Sequence, residues 1–335
     1  GVAGVDDHRH VVGRGGVVDV VEPPVVGRHP LHVAVDLHAA QPLGSERRVE
    51  EGPGVLLPRE DRGAGDEPRL HALDHLGEHT ATIDDARAAT RDILEALDAI
   101  QTTGVRANVS IKLTQLGLGL DAKECANNLA AIVARAASYN NFVRVDMEDS
   151  PVTQITLDIM REMRQRGFNN VGIVIQAYLY RSEADIKQLV QDCYTVRLCK
   201  GAYKEPASVA FPKKKDVDAN YDRLAALLMD GEKAQGCPVS GEDGRFPPIP
   251  GIATHDPKRV DFAREYAQKI GLPQQAIEFQ MLYGIRRELQ SQLASEGYPV
   301  RVYVPYGTEW YPYYMRRLAE RPANVWFFIS NFFRR

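Results

Sequence analysis

Two adjacent arginines and a glutamate near the carboxyl end of the chain are the first residues whose types and spacing suggest chemistry. They lie within residues 303–321, a stretch that also holds six tyrosines or tryptophans. Counted from Tyr313, Arg316 and Arg317 follow at i+3 and i+4, so both guanidinium groups project from the same helical face. Glu320, at i+7, adds a carboxylate to that face. Because guanidinium binds carboxylates with two charge-assisted hydrogen bonds, the stretch favours an anionic ligand, although an exposed basic helix over an aromatic core would show the same pattern.

Seven groups of polar residues each follow, or end, an apolar segment that has the pattern of a strand. In a parallel barrel, functional side chains lie at the carboxyl ends of the strands, so these groups would share one rim. They are Lys112; Asp146 with Glu148; Gln176; Arg197 with Lys200; Thr254 with His255 and Asp256; Gln280; and Tyr303 with Tyr306. Any one polar strand end is ordinary, but seven on one rim exceed what solvation requires.

The charges of these groups predict a zwitterionic ligand. Lys112 and the two arginines offer cations for a carboxylate, whereas Asp146 attracts a nearby positive charge. An ion pair between Asp146 and Lys112 across the barrel mouth is the simpler alternative. It is compatible with ligand binding, since it requires the same geometry.

The sequence RLCKGAY at 197–203 places two cations, a glycine and an aromatic side chain at one strand end. Gly201 would let backbone amides approach a pyrophosphate group. This segment is therefore the best candidate in the chain for binding the phosphates of a nucleotide cofactor.

Two other chemistries remain open on these residues alone. A lysine buried at a barrel strand end, here Lys200, is also what a Schiff-base aldolase uses. The acidic run at 146–149, with His255 and Asp256, is the candidate for a divalent metal. Only one histidine lies at a strand end, so we predict that no metal is bound.

The elements that position these residues alternate regularly. Eight strands are predicted at 105–113, 142–147, 171–176, 195–200, 251–255, 276–280, 300–304 and 325–329. A first helix begins at Asp84 or Asp85 and ends at Gly104, and others are predicted at 122–138, 152–166, 182–192, 217–233, 258–270, 283–296 and 310–320. This alternation favours an α/β fold of the (β/α)8 barrel type over an open doubly wound sheet.

The first 74 residues differ from the rest of the chain. They contain no Lys, Met, Asn, Ile, Phe, Tyr or Trp, and they hold most of the histidines. A hydrophobic core needs bulky side chains, so we expect residues 1–74 to be an N-terminal extension of low order or a wrong-frame translation of a GC-rich gene. The barrel domain is predicted to span residues 75–335. The Gly- and Pro-rich loop at 235–250 is expected to be a surface insertion.

Composition narrows the function to small-molecule chemistry. The net charge is about −4 and the only basic run is at 213–215, so neither nucleic acid nor an anionic membrane is an obvious partner. The four cysteines show no C-x-x-C spacing, and neither a signal segment nor an apolar run of about 18 residues occurs. We therefore expect reduced thiols and a cytoplasmic location.

The segment from about residue 76 onward resembles the flavin-dependent proline dehydrogenases of the stand-alone bacterial type. The motifs that carry the resemblance occur in the family's order. They are LGE at 76–78, SIKL at 110–113, VDMED at 145–149, IQAYL at 175–179, VRLCKGAY at 196–203, ATH at 253–255, EFQMLYG at 278–284, and the stretch at 303–321. The resemblance implies a distorted (β/α)8 barrel whose last helix sits over the mouth, with FAD at the carboxyl ends of the strands.

The resemblance also assigns roles to individual residues. Those expected to bind or surround the substrate L-proline are Lys112, Asp146, Tyr203, Leu282, Tyr303, Tyr313, Arg316 and Arg317, of which Lys112 and the two arginines hold its carboxylate. Those expected to hold FAD are Gln176, Arg197, Lys200, Gly201, Ala202, Thr254, His255, Arg317 and Glu320. Glu78 is expected to pair with Arg316 as a gate over bound substrate.

The implied reaction is oxidation of L-proline to pyrroline-5-carboxylate, with electrons passing through FAD to a quinone. A separate pyrroline-5-carboxylate dehydrogenase would take the product. Use of a quinone implies peripheral contact with a membrane, for which the aromatic segment at 326–333 is one candidate. Such a segment is more often a final strand and helix packed on the barrel, and we favour that interpretation. The alternatives are a Schiff-base aldolase that uses Lys200 and a ligand-binding barrel without catalysis.

Overall fold

The computed structural model describes residues 70–77, 80–236, 239–241 and 243–307. The strands are β1 Leu70–His75, β2 Ala107–Ile111, β3 Val143–Val145, β4 Val171–Gln176, β5 Val196–Cys199, β6 Pro250–Ala253, β7 Glu278–Leu282 and β8 Val300–Tyr306. The helices are α1 Ile83–Thr103, α2 Ala122–Ser138, α3 Ser150–Gln165, α4 Ser182–Gln191, α5 Lys214–Gln235, α6 Pro257–Ile270 and α7 Arg287–Ser295.

These strands form one closed parallel barrel. Each strand pairs with the next along the chain, and β1 pairs with β8 in a register that sets Leu73 opposite Val304. A helix follows each of the first seven strands, so the chain alternates strand and helix around the ring. The predicted (β/α)8 fold is confirmed, and the doubly wound alternative is wrong because the sheet has no open edge.

The strand that closes the barrel is not the one expected from sequence. β1 lies between β2 and β8, and it begins at Leu70, before the expected domain boundary at residue 75. The predicted strand at 325–329 lies outside the described residues, and the barrel closes without it. β1 escaped detection because it is short and carries the polar residues His71 and Asp74, which are buried along with its apolar positions.

Helix α1 begins with a capping box. The Thr82 side chain accepts a hydrogen bond from the Asp85 backbone N–H, and the Asp85 carboxylate accepts one in return from the Thr82 N–H. The cap is therefore Thr82 rather than the expected Asp84 or Asp85. The helix ends as predicted at Gly104, whose φ of 67° lies in the left-handed region that favours glycine.

The interior of the barrel is polar, although its outward face is apolar. Outward residues such as Val143 belong to the apolar core between the strands and the helices. Inside, however, lie Arg144, Arg197, Glu278 and Arg301, all buried. A buried ion pair is weak support for stability by itself, but removing one partner of such a pair is costly.

The loop at 235–250 closes the amino-terminal end of the barrel and is not the surface insertion that we expected. The Gly244 carbonyl accepts a hydrogen bond from the buried Arg301, and the Arg245 carbonyl accepts one from Asn108 Nδ2 at 3.1 Å. Phe246 packs edge-on against Phe142, with ring centroids 6.0 Å apart. The described part of the loop thus covers the floor of the barrel.

The expectation of reduced thiols holds only in part. Cys125 and Cys199 are free thiols, whereas Cys193 is disulfide-bonded. Within the described residues, no helix combines the length and the apolar character that crossing a membrane would require.

Candidate active site

A cavity of about 730 Å³ opens at the carboxyl ends of the strands. This volume lies within the range of small-molecule and cofactor sites. Every residue that the resemblance assigns to substrate or cofactor, and that the structure describes, lines this cavity, whereas Glu148, Asp149 and Tyr306 do not. The assigned residues that line it are Lys112, Asp146, Gln176, Arg197, Lys200, Gly201, Ala202, Tyr203, Thr254, His255, Leu282 and Tyr303.

Asp146 is held at the cavity floor by hydrogen bonds from two side chains. Its Oδ1 accepts a hydrogen bond from Arg197 Nη1 at 2.7 Å, and its Oδ2 accepts one from the Tyr303 hydroxyl at 2.8 Å. The Arg197 guanidinium also lies over the Tyr303 ring, 5.1 Å from its centroid. These contacts fix the carboxylate, so its position does not depend on a ligand.

Lys112 pairs more closely with a carboxylate that the sequence did not reveal. Its ammonium donates to both oxygens of Asp74, at 3.1 and 3.2 Å, but lies 4.0 Å from Asp146 Oδ2. The predicted pair of Lys112 and Asp146 is thus the weaker contact. Asp74 was not predicted because β1 was not predicted. Had that strand been found, Asp74 would have been included among the polar residues at the carboxyl ends of the strands.

Burial has a clear electrostatic effect on Asp74. The side chain is 1% exposed, and this desolvation raises the pKa of its carboxyl, against the opposing effect of the Lys112 charge. Burial likewise raises the pKa of the Tyr303 hydroxyl well above its ordinary value. Tyr303 is therefore a hydrogen-bond donor at neutral pH rather than a phenolate.

Lys200 is held between two carboxylates. Its ammonium donates to Asp218 of α5 and, at 2.8 Å, to Asp256 at the start of α6. A Schiff base requires an amine that is free to attack a carbonyl, whereas this nitrogen is engaged by two carboxylates. The arrangement therefore argues against the aldolase alternative and provides a fixed positive charge at the rim.

The free thiol of Cys199 also lines the cavity, but burial raises its pKa to about 12. Because the thiolate is the reactive form, this thiol is not poised as a nucleophile. The described cavity thus presents acids, bases and hydrogen-bond donors without an activated nucleophile.

The backbone after β5, where we expected a cofactor phosphate, is exposed to solvent. Gly201 has a φ of 124°, and a Cβ there would lie 2.6 Å from the ring of Tyr178, so only glycine fits. Gly201 and Ala202 are exposed at the cavity. The Ala202 amide donates a long hydrogen bond of 3.4 Å to Gln176 Oε1, and Gln176 Nε2 donates to the Glu148 carbonyl at 2.8 Å.

His255 is oriented by the neighbouring strand. Its Nε2 accepts a hydrogen bond from the Leu282 N–H at 2.9 Å, so in the neutral ring the proton is on Nδ1. Thr254 accepts a hydrogen bond from the Asp256 N–H at 3.1 Å, and Asp256 in turn caps α6. Both predicted cofactor residues are thus locked in place by β7 and α6.

Three of the acidic residues considered for a metal, Asp146, Glu148 and Asp256, are engaged in other contacts. Glu148 accepts hydrogen bonds from the Thr114 backbone and hydroxyl, and Asp149 is the residue that precedes α3. Over the described ranges, no three His, Cys, Asp or Glu side chains are grouped so as to hold a metal ion.

Tyr203 is carried on the loop between β5 and α5, which is anchored to α3. The Glu205 carboxylate accepts hydrogen bonds from the Ser150 N–H at 2.7 Å and the Ser150 hydroxyl at 2.6 Å. Asp149 makes no side-chain cap of its own, so Glu205 caps this helix from a distant part of the chain. The loop that bears Tyr203 is thereby held at the cavity edge.

Five predicted site residues lie outside the described residues. They are Glu78, Tyr313, Arg316, Arg317 and Glu320. Their roles remain predictions.

Comparison with known proteins identifies the family. The family model described as proline dehydrogenase matches residues 63–329. Proline dehydrogenase 2 of Bacillus subtilis is 41% identical over 256 residues, which cover 76% of this chain and 79% of the relative. Proline dehydrogenase of Deinococcus radiodurans is 40% identical over 262 residues, covering 77% of this chain and 80% of the relative.

Larger proteins contain a similar segment. The solved structure of proline utilization A (PutA) from Bdellovibrio bacteriovorus, inactivated by N-propargylglycine, superimposes with a TM-score of 0.67 at 26% identity. That match covers 75% of this chain but spans only 30% of the PutA chain. The bifunctional protein PutA of Escherichia coli is 27% identical, and the match covers 77% of this chain and 22% of that protein. Together with the closed barrel and its cavity, these matches establish that the chain belongs to the proline dehydrogenase family.

Proposed function

We propose that this protein oxidises L-proline to pyrroline-5-carboxylate, with FAD as its cofactor. The observation that carries the proposal is the cavity floor, where Lys112 and Arg197 alternate with Asp74 and Asp146 beneath an apolar and aromatic wall. Such a floor suits a small ring that bears both a carboxylate and an amine. Family membership supplies the reaction class.

The carboxylate of proline is proposed to bind Lys112 together with Arg316 and Arg317. The amine is proposed to face Asp146, whose carboxylate is already fixed by Arg197 and Tyr303. Opposite charges at the two ends of the ligand would fix the orientation of the ring, and orientation lowers the barrier because the reacting carbon is already placed.

The walls of the pocket are proposed to be Leu282, Tyr303 and Tyr203, with Tyr313. Leu282 ends β7 and Tyr303 lies on β8, so a rigid pair of strands sets their separation. Tyr203 is 38% exposed and reaches the cavity from the anchored loop. Apolar walls would exclude water from the ring carbon next to nitrogen, which loses a hydride in the reaction.

The described residues fit a flavin nucleotide. The exposed backbone at Gly201 and Ala202 would offer amide donors for a pyrophosphate, and the side chains of Lys200 and Arg197 would offer positive charge. Gln176, Thr254 and His255 supply further polar contacts, and Arg317 and Glu320 are proposed to complete the set. FAD, when bound, supplies the acceptor for the hydride of proline.

Electrons are proposed to leave through a quinone, which implies that the protein contacts a membrane peripherally. A cytoplasmic location is proposed as well. The product, pyrroline-5-carboxylate, would pass to a separate dehydrogenase. Relatives named bifunctional protein PutA are consistent with a close link between the two steps.

An absorption spectrum tests the proposal. Purified protein, supplemented with FAD and freed of excess, should show the bands of an oxidised flavin, and these should bleach when proline is added without oxygen. Adding dithionite measures the fully reduced signal, and glycine serves as the control amino acid without a ring. A protein that binds no FAD, or a bound flavin that dithionite bleaches and proline does not, would overturn the proposal.

A further inference from the structure

We propose that Asp74 is a positioning residue that holds Lys112 against the β1 side of the cavity and away from Asp146. The inference rests on the proposed function, in which Lys112 contacts the carboxylate of proline. Asp74 would thus contribute to substrate binding without contacting the substrate itself.

The first support is geometric. Asp74 lies near the end of β1, in register with Ser110 of β2. Lys112 is two residues beyond Ser110, so its side chain leaves the backbone on the same face of the sheet. Asp74 is therefore placed to grip the ammonium of Lys112 from below, and it does so with both carboxylate oxygens, at 3.1 and 3.2 Å.

The second support is the pairing of charges on the cavity floor. Two cations and two carboxylates lie there, and the short contacts divide them into Asp74 with Lys112 and Asp146 with Arg197. The crossed contact between Lys112 and Asp146 is 4.0 Å, longer than either. The side chain of Lys112 is 12% exposed and that of Asp74 1%, so the carboxylate is the inner partner and the ammonium the outer one.

The consequence of losing the Asp74 charge follows from these distances. Among the carboxylates that the structure describes, Asp146 would then be the nearest to Lys112, at 4.0 Å, and a short move would bring the two into direct contact. Asp146 would be drawn from Arg197 and Tyr303, which donate to it at 2.7 and 2.8 Å. Both ends of the proposed proline site would be displaced, although no group that touches proline is altered.

The test is a double-mutant cycle with Asp74→Asn and Lys112→Met. Asp74→Asn keeps the shape of the side chain and removes its charge. We expect it to raise the KM for proline roughly tenfold, a loss of about 1.4 kcal/mol, and to change kcat by less than about threefold. In the Lys112→Met background the same change should raise KM by less than about twofold, because residues that act through one another are not additive.

A second readout separates positioning from chemistry. Binding of tetrahydrofuran-2-carboxylate, which has oxygen in place of the ring nitrogen and cannot react, is measured from the change in the flavin spectrum. Its affinity should fall about as much as that for proline in Asp74→Asn and no further in the double variant. Asp185→Asn is the matched control. Asp185 is also largely buried and pairs with a neighbouring arginine, but it lies on α4 outside the cavity. This variant should leave the KM for proline and the affinity for tetrahydrofuran-2-carboxylate unchanged.

If Asp74→Asn does not fold, Asp74→Glu takes its place. Glutamate keeps the charge but moves it by one methylene, so it should raise KM in the wild-type background and have little effect beside Lys112→Met. Equal factors in both backgrounds would overturn the proposal. If the wild-type protein itself fails to reduce flavin with proline, the proposed function fails instead, and the two failures are thereby distinguished.

Discussion

Arg301 and Glu278 form a two-hydrogen-bond ion pair in the interior of the barrel, with both N···O distances at 2.8 Å and the side chains 1% and 0% exposed. The pair is linked upward to the cavity, because Gln280 donates to Glu278 and accepts a hydrogen bond from Arg197. A polar chain thus runs from the floor of the barrel to the proposed active site.

Arg301→Met should destabilise the protein by roughly 3 to 5 kcal/mol, since it leaves the Glu278 carboxylate buried without its cation. Denaturant unfolding followed by circular dichroism gives the free energy. Arg135→Met is the control, because Arg135 pairs with Asp98 at the surface, where both side chains are well exposed, and should cost about 0 to 1 kcal/mol. Equal losses in the two variants would show that burial of the pair is unimportant.

Glu205→Gln should loosen the loop that carries Tyr203. The variant weakens a helix cap, whose loss costs roughly 0.5 to 2 kcal/mol. We expect the KM for proline to rise a few-fold with flavin content unchanged, as measured by steady-state kinetics. Glu124→Gln, which alters the surface pair between Arg87 of α1 and Glu124 of α2, is the control. An unchanged KM would mean that the loop is held by other contacts.

Glu232 should make stability depend on pH. Burial raises the pKa of this carboxyl from its ordinary value of 4.5 to about 7, and its Oε2 accepts one hydrogen bond, of 3.2 Å, from the Ile249 N–H. The folded state therefore binds a proton more tightly than the unfolded state. The resulting stability is fully present below pH 4.5 and is lost as the pH rises through 7.

Glu232→Gln should remove this dependence and make the protein more stable at pH 8, by roughly 1 to 3 kcal/mol. Thermal or denaturant unfolding at intervals between pH 4.5 and 8 measures the effect. Glu162→Gln, on the exposed face of α3, should leave the pH profile of the wild type intact. A variant that keeps the wild-type slope would assign the slope to other groups.

Arg316→Met should weaken the binding of proline at least tenfold, or by about 1.4 kcal/mol, while flavin stays bound. Arg317→Met should weaken both, because that residue is proposed to face substrate and cofactor. Titration of the flavin spectrum with tetrahydrofuran-2-carboxylate measures the affinity of the substrate site. The flavin absorbance per mole of protein measures how much flavin stays bound. Undiminished affinity in Arg316→Met would place the carboxylate contact elsewhere.

A chain that begins at residue 63 should retain flavin binding and proline oxidation. The family match starts there, and β1 starts at Leu70, whereas the preceding segment lacks most core-forming residue types. Peptide mapping of native material would also show whether residues 1–62 are present at all. Loss of flavin from the shortened protein would assign the segment a structural role.

Much of the barrel could be predicted from sequence because strand and helix periods alternate clearly. The helix predicted at 122–138 and the strand predicted at 171–176 have the observed bounds of α2 and β4. β1 could not be found in this way, since a strand of six residues buried on both faces, with His71 and Asp74 among them, has no alternation to detect.

The cavity residues could be predicted from strand ends, but their partners could not. The rule that functional groups follow parallel strands found Lys112, Asp146 and Lys200. It did not find Asp74 or Asp218, because pairing depends on the register around the ring and on the depth of each side chain. Those quantities are set by the packing of strands and helices that lie far apart in the sequence.

The closure of the barrel by β1 and β8 also sets a condition on synthesis. Arg301 donates to the carbonyl of His71, 230 positions earlier in the sequence. β1 therefore cannot pair with β8 until the intervening chain has been synthesised. At roughly 5 to 20 residues per second, that wait is on the order of 10 to 50 s. During this time one edge of β1 is open to other strands, and contacts of such long range form slowly. That edge of β1 therefore stays without its native partner until β8 has left the ribosome.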